Sequence, residues 1–541
     1  MKYCLYTCLA LAGWAATSVS AQSTKPNIVL IITDQQRADL CGREGFPLPV
    51  TPYADSLASQ SVWFNKAYTA APASAPARCS LLSGRYPSAT HVRTNHNIPD
   101  AYYEKDMLDM LKENGYRTAL IGKNHTYRKA DEAFDYFIGY GHRGKDKPET
   151  EDEKALARFL NNEVPGHYLK PAPISVEQQQ PYQIVSHALE WIQQQKDTPF
   201  FIQVSIPEPH TPSQVCDPYF SMFPPEDLPP LLTSRMDLEK KGEKYMALAA
   251  LEDKACSNLQ QQIPLLRSIY LGMVRMIDDQ MKRLVEEIKS YGQDDNTLFI
   301  ILSDHGDYCG EYGLIRKGSG VAESLTRIPM IWAGYGIKPQ NKPMDAHVSI
   351  VDIFPTLCSV IGAEIPVGVQ GRSLWPMLKG DDYPREEFSS IMVEQGYGGE
   401  DFTMEEPLTF ENAGSCRTDV EGSFDGLNPW TQSGSLRMVR KGDWKIQCDM
   451  EGTVYLYNLK EDPYELHNLA ENAAFCIEKA EMLCELSAAM MRACDPLPFP
   501  HRRYRVKRHP QGFWKDSVYQ SEDAGICNWE ALSILSQHYK R

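Results

Sequence analysis

The chain has 541 residues, of which 42% are hydrophobic and 23% are charged. This composition is that of a globular protein, and it excludes a disordered, collagen-like or coiled-coil chain as a description of the whole. The 55 Lys and Arg residues against 71 Asp and Glu residues give a formal net charge of −16. Such a charge disfavours general binding to nucleic acid or to an anionic membrane, so an anionic substrate would need a local cluster of cations.

Residues 1–21 have the organisation of a secretory signal peptide. Lys2 precedes an apolar run, Leu5 to Ala16, that is too short to span a bilayer, and Val19-Ser20-Ala21 has small residues where a signal peptidase reads them. The lack of Arg argues against a mitochondrial presequence. We therefore expect cleavage after Ala21, a periplasmic or secreted protein, and no membrane span. Disulfides are permitted in such a compartment, but the sequence does not indicate their pairing.

The first two-thirds of the chain alternates short apolar runs with amphipathic segments. The apolar runs predict strands at Asn27–Thr33, Arg117–Gly122, Phe200–Ile206, Thr297–Ser303 and Pro329–Ala333. The amphipathic segments predict helices at Thr51–Gln60, Met107–Asn114, Val176–Gln195, Leu265–Ser290 and Val351–Ile361. Apolar strands that alternate with helices indicate an α/β fold whose mainly parallel sheet is covered on both faces.

Polar residues follow the carboxyl ends of four predicted strands. They are Asp34, Lys123, His210 and Asp304. Ligands of open α/β sheets bind at this edge of the sheet, so we expect these four side chains to converge.

The pattern changes after about Asp382. The segment Gly396–Asn428 reads as a long loop, and three short strands follow it at Leu436–Arg440, Trp444–Cys448 and Val454–Asn458. Turn residues between these strands predict an antiparallel meander, which is followed by a helix over Phe475–Arg492. We predict a main domain over residues 22–387 and a small C-terminal α+β domain over residues 388–541.

The segment Ser74–Arg85, with the sequence SAPARCSLLSGR, resembles the signature of type I sulfatases, [C/S]-x-P-x-R-x-x-x-x-x-G-R. The matching residues are Ser74, Pro76, Arg78, Gly84 and Arg85. In that family the first residue is oxidised to Cα-formylglycine. The plainer alternative is a loop that enters a helix. Cys79 lacks Pro and Arg at the required spacing, so we interpret it as a buried thiol.

A formylglycine suits the chemistry of sulfate esters, which have a poor leaving alkoxide and a shielded sulfur. A hydrated aldehyde offers one hydroxyl to attack sulfur and a second to expel sulfate by re-forming the carbonyl. The resemblance thus implies that Ser74 is matured by a formylglycine-generating enzyme that accepts serine. Arg78 would lie one helical turn away, beside the nucleophile.

Two further segments resemble the metal-binding pairs of sulfatases. Asp34-Gln35 follows the first strand and Asp304-His305 follows a later one. With the modified Ser74, these four residues would form the metal site. Oxygen ligands favour Ca²⁺, whereas imidazole also suits Mn²⁺ or Zn²⁺. The alternative for each Asp is a helix cap or a turn residue.

The cationic residues of the family also have counterparts. Gly122-Lys123-Asn124-His125 resembles the G-K-x-H motif, Pro209-His210-Thr211-Pro212 resembles P-H-x-P, and Lys317 stands where members carry a sulfate-binding lysine. Lys123, Lys317 and Arg78 would neutralise the sulfate oxygens, and His125 and His210 would act as the base and as the partner of the leaving oxygen. The segment Tyr457–Leu469 resembles a further family pattern, for which we expect a structural role.

The resemblance implies an alkaline-phosphatase-like fold, in which a large mixed, mainly parallel sheet flanked by helices forms the catalytic domain and a small C-terminal α+β domain carries an antiparallel sheet. It also implies a sulfatase similar to the exported serine-type glycan sulfatases of Bacteroidetes, with a sulfated saccharide as substrate. Two alternatives stay open: a phosphonate or phosphate (di)ester hydrolase of the same superfamily, and an inactive carbohydrate-binding relative, which the intact motifs disfavour.

Overall fold

A computed structural model describes residues 25–162, 166–195, 198–398 and 433–494. The predicted signal peptide, most of the predicted loop Gly396–Asn428 and the chain after residue 494 lie outside the described residues. No helix in the described ranges is both long enough and apolar enough to cross a membrane. The nine cysteines whose side chains the structure describes form no disulfide with one another.

The described residues form fourteen strands. They are β1 Asn27–Asp34, β2 Val62–Trp63, β3 Ala67–Tyr68, β4 Arg117–Gly122, β5 Tyr136–Gly141, β6 Gly144–Lys145, β7 Phe200–Pro209, β8 Thr297–Ser303, β9 Met330–Gly334, β10 Val348–Ser349, β11 Ser390–Gly398, β12 Gly434–Lys441, β13 Trp444–Asp449 and β14 Val454–Asn458.

The same ranges contain thirteen α-helices. They are α1 Pro52–Ser59, α2 Ser74–Ser83, α3 Pro87–Thr90, α4 Met107–Glu113, α5 Ala130–Ala133, α6 Glu151–Asn162, α7 Gln180–Gln193, α8 Glu243–Ala255, α9 Leu259–Ser290, α10 Glu323–Thr326, α11 Ile353–Ile361, α12 Trp375–Leu378 and α13 Cys476–Cys494.

The main sheet has eight strands in the order β2-β9-β8-β1-β7-β4-β5-β6. The five central strands, β8 to β5 in that order, run parallel, and antiparallel strands flank them at both sides. This confirms the predicted α/β class with a large mixed, mainly parallel sheet. Since the central strands share one direction, their carboxyl ends lie along one edge.

Helices cover both faces of the sheet, as the fully apolar strands require. The side chains of β1 alternate between two cores: Leu30 packs with helices α2, α4 and α11, whereas Ile31 packs with α1, α7 and α9. Both side chains are almost fully buried. The faces are therefore filled, which leaves the carboxyl edge as the place where polar side chains can gather.

Two helix starts differ from the predictions by four or more residues. The helix predicted over Val176–Gln195 is split, because Gln179 is extended and α7 begins immediately before Pro181. Proline lacks an N–H and is tolerated in the first turn of a helix, so the helix starts there. Conversely, α9 begins at Leu259 and continues through Pro264, since Leu259 and Ile263 are buried and their packing outweighs the cost of the proline.

β12, β13 and β14 form the predicted antiparallel meander, and α13 packs on the sheet. β11 was not predicted: it pairs with β12 and extends into the first three residues of the predicted loop Gly396–Asn428, so that part of the loop prediction is wrong. A buried ionic cluster connects this sheet to the rest of the molecule. Glu465 pairs with Lys445 and, at 2.6 Å, with Lys241, while Lys445 also pairs with Glu323 at 2.9 Å. Glu465 belongs to the segment Tyr457–Leu469, for which a structural role was expected.

Candidate active site

Neighbouring strands bring the predicted polar residues to one edge of the sheet. Asp304 follows β8, Asp34 ends β1, His210 follows β7 and Lys123 follows β4, and these strands are adjacent in that order. Lys123 and Asp34 form an ion pair, and the backbone N–H of Asp304 donates to the carbonyl of Thr33 at 3.1 Å. The expected convergence of these side chains is therefore observed.

Ser74 is the first residue of α2, where the chain changes from the extended Ala73 into the helix. Its side chain is 1% exposed, and its Oγ lies 3.1 Å from Nε2 of His305 and 3.3 Å from Oδ1 of Asp34. The helix ends at Gly84, whose φ of 64° is left-handed. The signature segment is thus a buried helix whose first side chain faces the polar edge of the sheet.

Arg78 lies one turn after Ser74 and joins the strand ends. Its Nε donates to Oδ2 of Asp304 at 2.8 Å, and its Nη2 lies 3.4 Å from Oδ2 of Asp34. Its Nη1 donates to Oγ of Ser205 at 2.8 Å and to the carbonyl of Lys123 at 3.2 Å. A buried guanidinium with this fork of donors can hold both carboxylates at once.

Asp34, Asp304 and His305 form a group that could hold a metal ion, since their ligand atoms lie within 4.8 Å of one another. All three side chains are fully buried. Nδ1 of His305 lies 2.9 Å from the carbonyl of Gly306, which can only accept, so Nδ1 carries the proton and the lone pair of Nε2 can accept from the Ser74 hydroxyl or bind an ion. These donors fit a divalent cation, which would act as a Lewis acid on nearby oxygens when bound.

Gln35, the fourth predicted ligand, has a left-handed backbone with a φ of 73°. Its amide nitrogen donates to Asp307, and its Oε1 accepts from Nζ of Lys317 at 2.9 Å. The pairing with Asp307 orients the amide, so Oε1 points toward the cationic side of the site. This oxygen has a second lone pair that an ion could use.

The local charges of the site depart from those of the acidic chain. Burial would raise the pKa of Asp34, but the positive charges of Lys123, Arg78 and Lys317 hold it well below its ordinary value. Burial lowers the pKa of the Lys317 ammonium to about 8. A local cluster of cations, which an acidic chain needs in order to bind an anionic substrate, is therefore present at this edge.

Gly122 allows the chain to turn into the site after β4. Its φ is 118°, and a Cβ there would lie 1.8 Å from the carbonyl oxygen of Ser205. Only glycine permits this approach, which places Lys123 and His125 at the edge of the sheet. The pKa of His125 is lowered well below its ordinary value by burial and by Lys123 and Arg78.

His210 is also held as a neutral imidazole. Burial and the positive charges of Lys317 and Lys123 lower its pKa well below the ordinary value. Its Nδ1 lies 2.7 Å from the carbonyl of Thr211, so Nδ1 is the protonated nitrogen and Nε2 can exchange a proton with a ligand. Cys79, by contrast, is fully buried, and burial raises the pKa of its thiol to about 12, as expected of an inert thiol.

Three residues of the site escaped the sequence analysis: His142, Ser205 and Asp307. Ser205 lies inside β7 and Asp307 three residues after Asp304, in positions whose partners only the fold reveals. His142 follows β5, a strand that was not predicted. The aromatic run before His142 was a signal that could have identified that strand end.

A small cavity that is partly open to solvent adjoins the site. Several of its lining residues flank residues already described: Pro209 and Thr211 surround His210, and Arg316 precedes Lys317. The lining also includes Ile263, Leu266 and Arg267 of α9. The cavity therefore combines apolar surface with two arginines, Arg267 and Arg316, and with Asp307.

Comparisons with known proteins agree with this geometry. The sulfatase family model matches residues 26–363. An arylsulfatase of Clostridium perfringens is 29% identical over 83% of this chain and 91% of its own length. A Δ4,5-hexuronate-2-O-sulfatase of Bacteroides thetaiotaomicron is 26% identical over 93% of this chain and 95% of its own.

Among solved structures, a phosphonate monoester hydrolase of Agrobacterium radiobacter has the same fold, with a TM-score of 0.69 and 23% identity over 88% of this chain and 97% of that one. Its likeness concerns the fold alone. The family model covers more than half of the chain and includes every predicted site residue. The chain therefore belongs to the sulfatase family, and it is a sulfuric ester hydrolase on an alkaline-phosphatase-like fold.

Proposed function

We propose that this enzyme is exported and hydrolyses sulfate esters of a sulfated glycan, with a formylglycine derived from Ser74 as its nucleophile. The observation that carries the proposal is the placement of Ser74. Its Oγ contacts both Asp34 and His305, and Arg78, one turn on, binds both carboxylates of the candidate metal site. The residue that reacts with sulfur would thus be surrounded by the groups that orient it.

A plain serine would not suffice for turnover. An alcohol here has no special acidity, and a sulfate transferred to it would form a stable ester. The hydrated aldehyde supplies the second hydroxyl that expels sulfate. Asp34, Gln35, Asp304 and His305 would hold a divalent cation beside residue 74, and we propose Ca²⁺ because most of the ligand atoms are oxygens.

The cations of the chain would stabilise the charge that develops on the sulfate. Lys123, Lys317 and Arg78 lie at the same edge as Ser74, and buried cations act strongly on a bound anion. His125 and His210 are neutral because burial and the cations lower their pKa values. We assign to His125 the removal of the proton from the second hydroxyl of sulfated residue 74, which expels sulfate. We assign to His210 the contact with the leaving oxygen of the substrate.

The alcohol portion of the substrate would occupy the cavity beside His210 and Lys317. Its mixture of apolar surface and a guanidinium suits a sugar ring that carries an additional polar or anionic group. The name of the hexuronate-2-O-sulfatase relative supports a saccharide substrate. Residues 1–21 support export.

The chemical state of residue 74 tests the mechanism. Peptide mass of natively produced, active enzyme should show formylglycine at Ser74. In a host whose maturation machinery accepts only cysteine, the wild type should be almost inactive, Ser74→Cys should regain activity, and Ser74→Ala should stay inactive in every host. An unmodified Ser74 in fully active enzyme, with a higher rate on an aryl phosphate than on an aryl sulfate, would refute the mechanism and favour the phosphohydrolase alternative.

A further inference from the structure

His142 is placed at the active site by the pairing of two strands. It directly follows β5, which runs parallel to β4 with Gly139 opposite Gly122. The carboxyl ends of these strands are therefore neighbours, and the side chain that follows β5 meets Lys123, the residue that follows β4. The proposed mechanism gives His142 no role.

The contact between His142 and Lys123 has a defined polarity. Nε2 of His142 lies 3.1 Å from Nζ of Lys123. An ammonium only donates, so Nε2 accepts and the imidazole proton is on Nδ1. The ammonium also pairs with Asp34. Two of its three hydrogens are thus directed by protein acceptors, which leaves the third for an oxygen of a bound substrate.

The same imidazole contacts a second residue of the proposed mechanism. The rings of His142 and His210 stack with centroids 3.9 Å apart and an interplanar angle of 24°. His142 therefore touches both the lysine proposed to bind the sulfate and the histidine proposed to meet the leaving oxygen.

The environment of the His142 side chain destabilises the fold. Its Nδ1 is buried and has no hydrogen-bond partner among the described residues. Burial and the charge of Lys123 lower its pKa well below the ordinary value, so the ring is neutral. An N–H that is buried without an acceptor destabilises a protein, and an apolar ring would stack equally well. Stability alone does not explain a histidine here.

We propose that His142 is a positioning residue, which fixes the direction of the Lys123 ammonium by accepting its hydrogen bond and holds the His210 ring by stacking. This inference rests on the roles given to Lys123 and His210 in the proposed function. The two contacts can be removed separately. His142→Phe keeps an aromatic ring and removes the acceptor, whereas His142→Gln keeps an acceptor and removes the ring.

The test uses the full, matured enzyme with 4-nitrophenyl sulfate, and inorganic sulfate as an inhibitor. A lost hydrogen bond to a charged group predicts a fall in kcat/KM of about 10- to 100-fold for His142→Phe, with KM raised and sulfate inhibition weakened. His142→Gln should lower kcat and leave sulfate inhibition within about threefold. The thermal midpoint of His142→Phe should stay close to that of the wild type, because removal of the unpartnered Nδ1–H offsets the hydrogen bond that Lys123 loses.

A double-mutant cycle completes the experiment. In a Lys123→Met background, His142→Phe should have little further effect, because the lysine through which it acts is absent. Activity of His142→Phe within twofold of the wild type, full additivity with Lys123→Met, or a loss of activity that follows a lowered thermal midpoint would each overturn the inference. A matured wild type without sulfatase activity would instead refute the proposed function, so the two failures are distinguishable.

Discussion

Arg78→Lys separates the charge of the arginine from its geometry. Lysine keeps the positive charge but concentrates its donors on one atom, which cannot reach Asp304, Asp34 and Ser205 together. At least two of the four hydrogen bonds that the charged guanidinium donates are lost, each worth about 1.5–3 kcal/mol. The free energy of unfolding should therefore fall by about 3–6 kcal/mol, a large share of the roughly 5–15 kcal/mol typical of folded proteins.

The same displacement should slow catalysis, because Arg78 holds the two carboxylates against residue 74. If the lost interactions also operate in the transition state, kcat/KM should fall by about 10²- to 10⁴-fold. Urea unfolding measures the first effect and 4-nitrophenyl sulfate hydrolysis the second. The peptide mass of residue 74 must be checked in the variant, since Arg78 belongs to the signature that surrounds the modified residue.

Arg275→Lys is the matched control. Arg275 makes one ion pair, at 3.1 Å to Asp279, in which both side chains are partly exposed. Such pairs contribute about 0–1 kcal/mol, so unfolding and activity should remain close to the wild type. The reasoning about Arg78 is refuted if fully matured Arg78→Lys has a free energy of unfolding within about 1 kcal/mol of the wild type and a kcat/KM within about threefold. The loss of two hydrogen bonds from a charged group should produce larger changes in both quantities.

Five other perturbations address the metal, the residues proposed to act on the sulfate, and the cavity. Chelation should abolish activity and Ca²⁺ should restore it, and Asp304→Ala should lower activity by orders of magnitude in a folded protein; full activity after prolonged dialysis against EDTA would contradict a metal. Lys317→Ala should impair both KM and kcat, because the ammonium faces the anion in ground and transition states. His125→Ala should slow the release of sulfate from residue 74, so that sulfated enzyme accumulates in mass spectra. Wild-type kinetics of His125→Ala would exclude His125 as the base. Arg267→Gln should lower kcat/KM for a sulfated disaccharide about tenfold or more, which is the effect of losing a hydrogen bond to a charged group. It should leave kcat/KM for 4-nitrophenyl sulfate unchanged. Equal effects on both substrates would show that the cavity does not bind the sugar.

Much of the fold could be predicted because its signals are local. The strand predicted over Thr297–Ser303 has those bounds in the structure, since a continuous apolar run can only be buried on both faces of a sheet. The convergence of Asp34, Lys123, His210 and Asp304 followed from the strand directions, because parallel strands end at one edge. For Ser74, the signature itself was the signal.

Tertiary structure decided the features that depend on distant partners. The start of α9 at Leu259 is set by the packing of its first turns, which outweighs Pro264. The contact of Lys317 with Gln35 joins residues far apart in the chain, and no local pattern contains it. His142 illustrates the same point: its type and position are written in the sequence, but only the pairing of β5 with β4 places its imidazole between Lys123 and His210. Local sequence determines which segments are strands and which residues follow them, whereas the contacts between those residues depend on strand order and side-chain packing across the whole sheet.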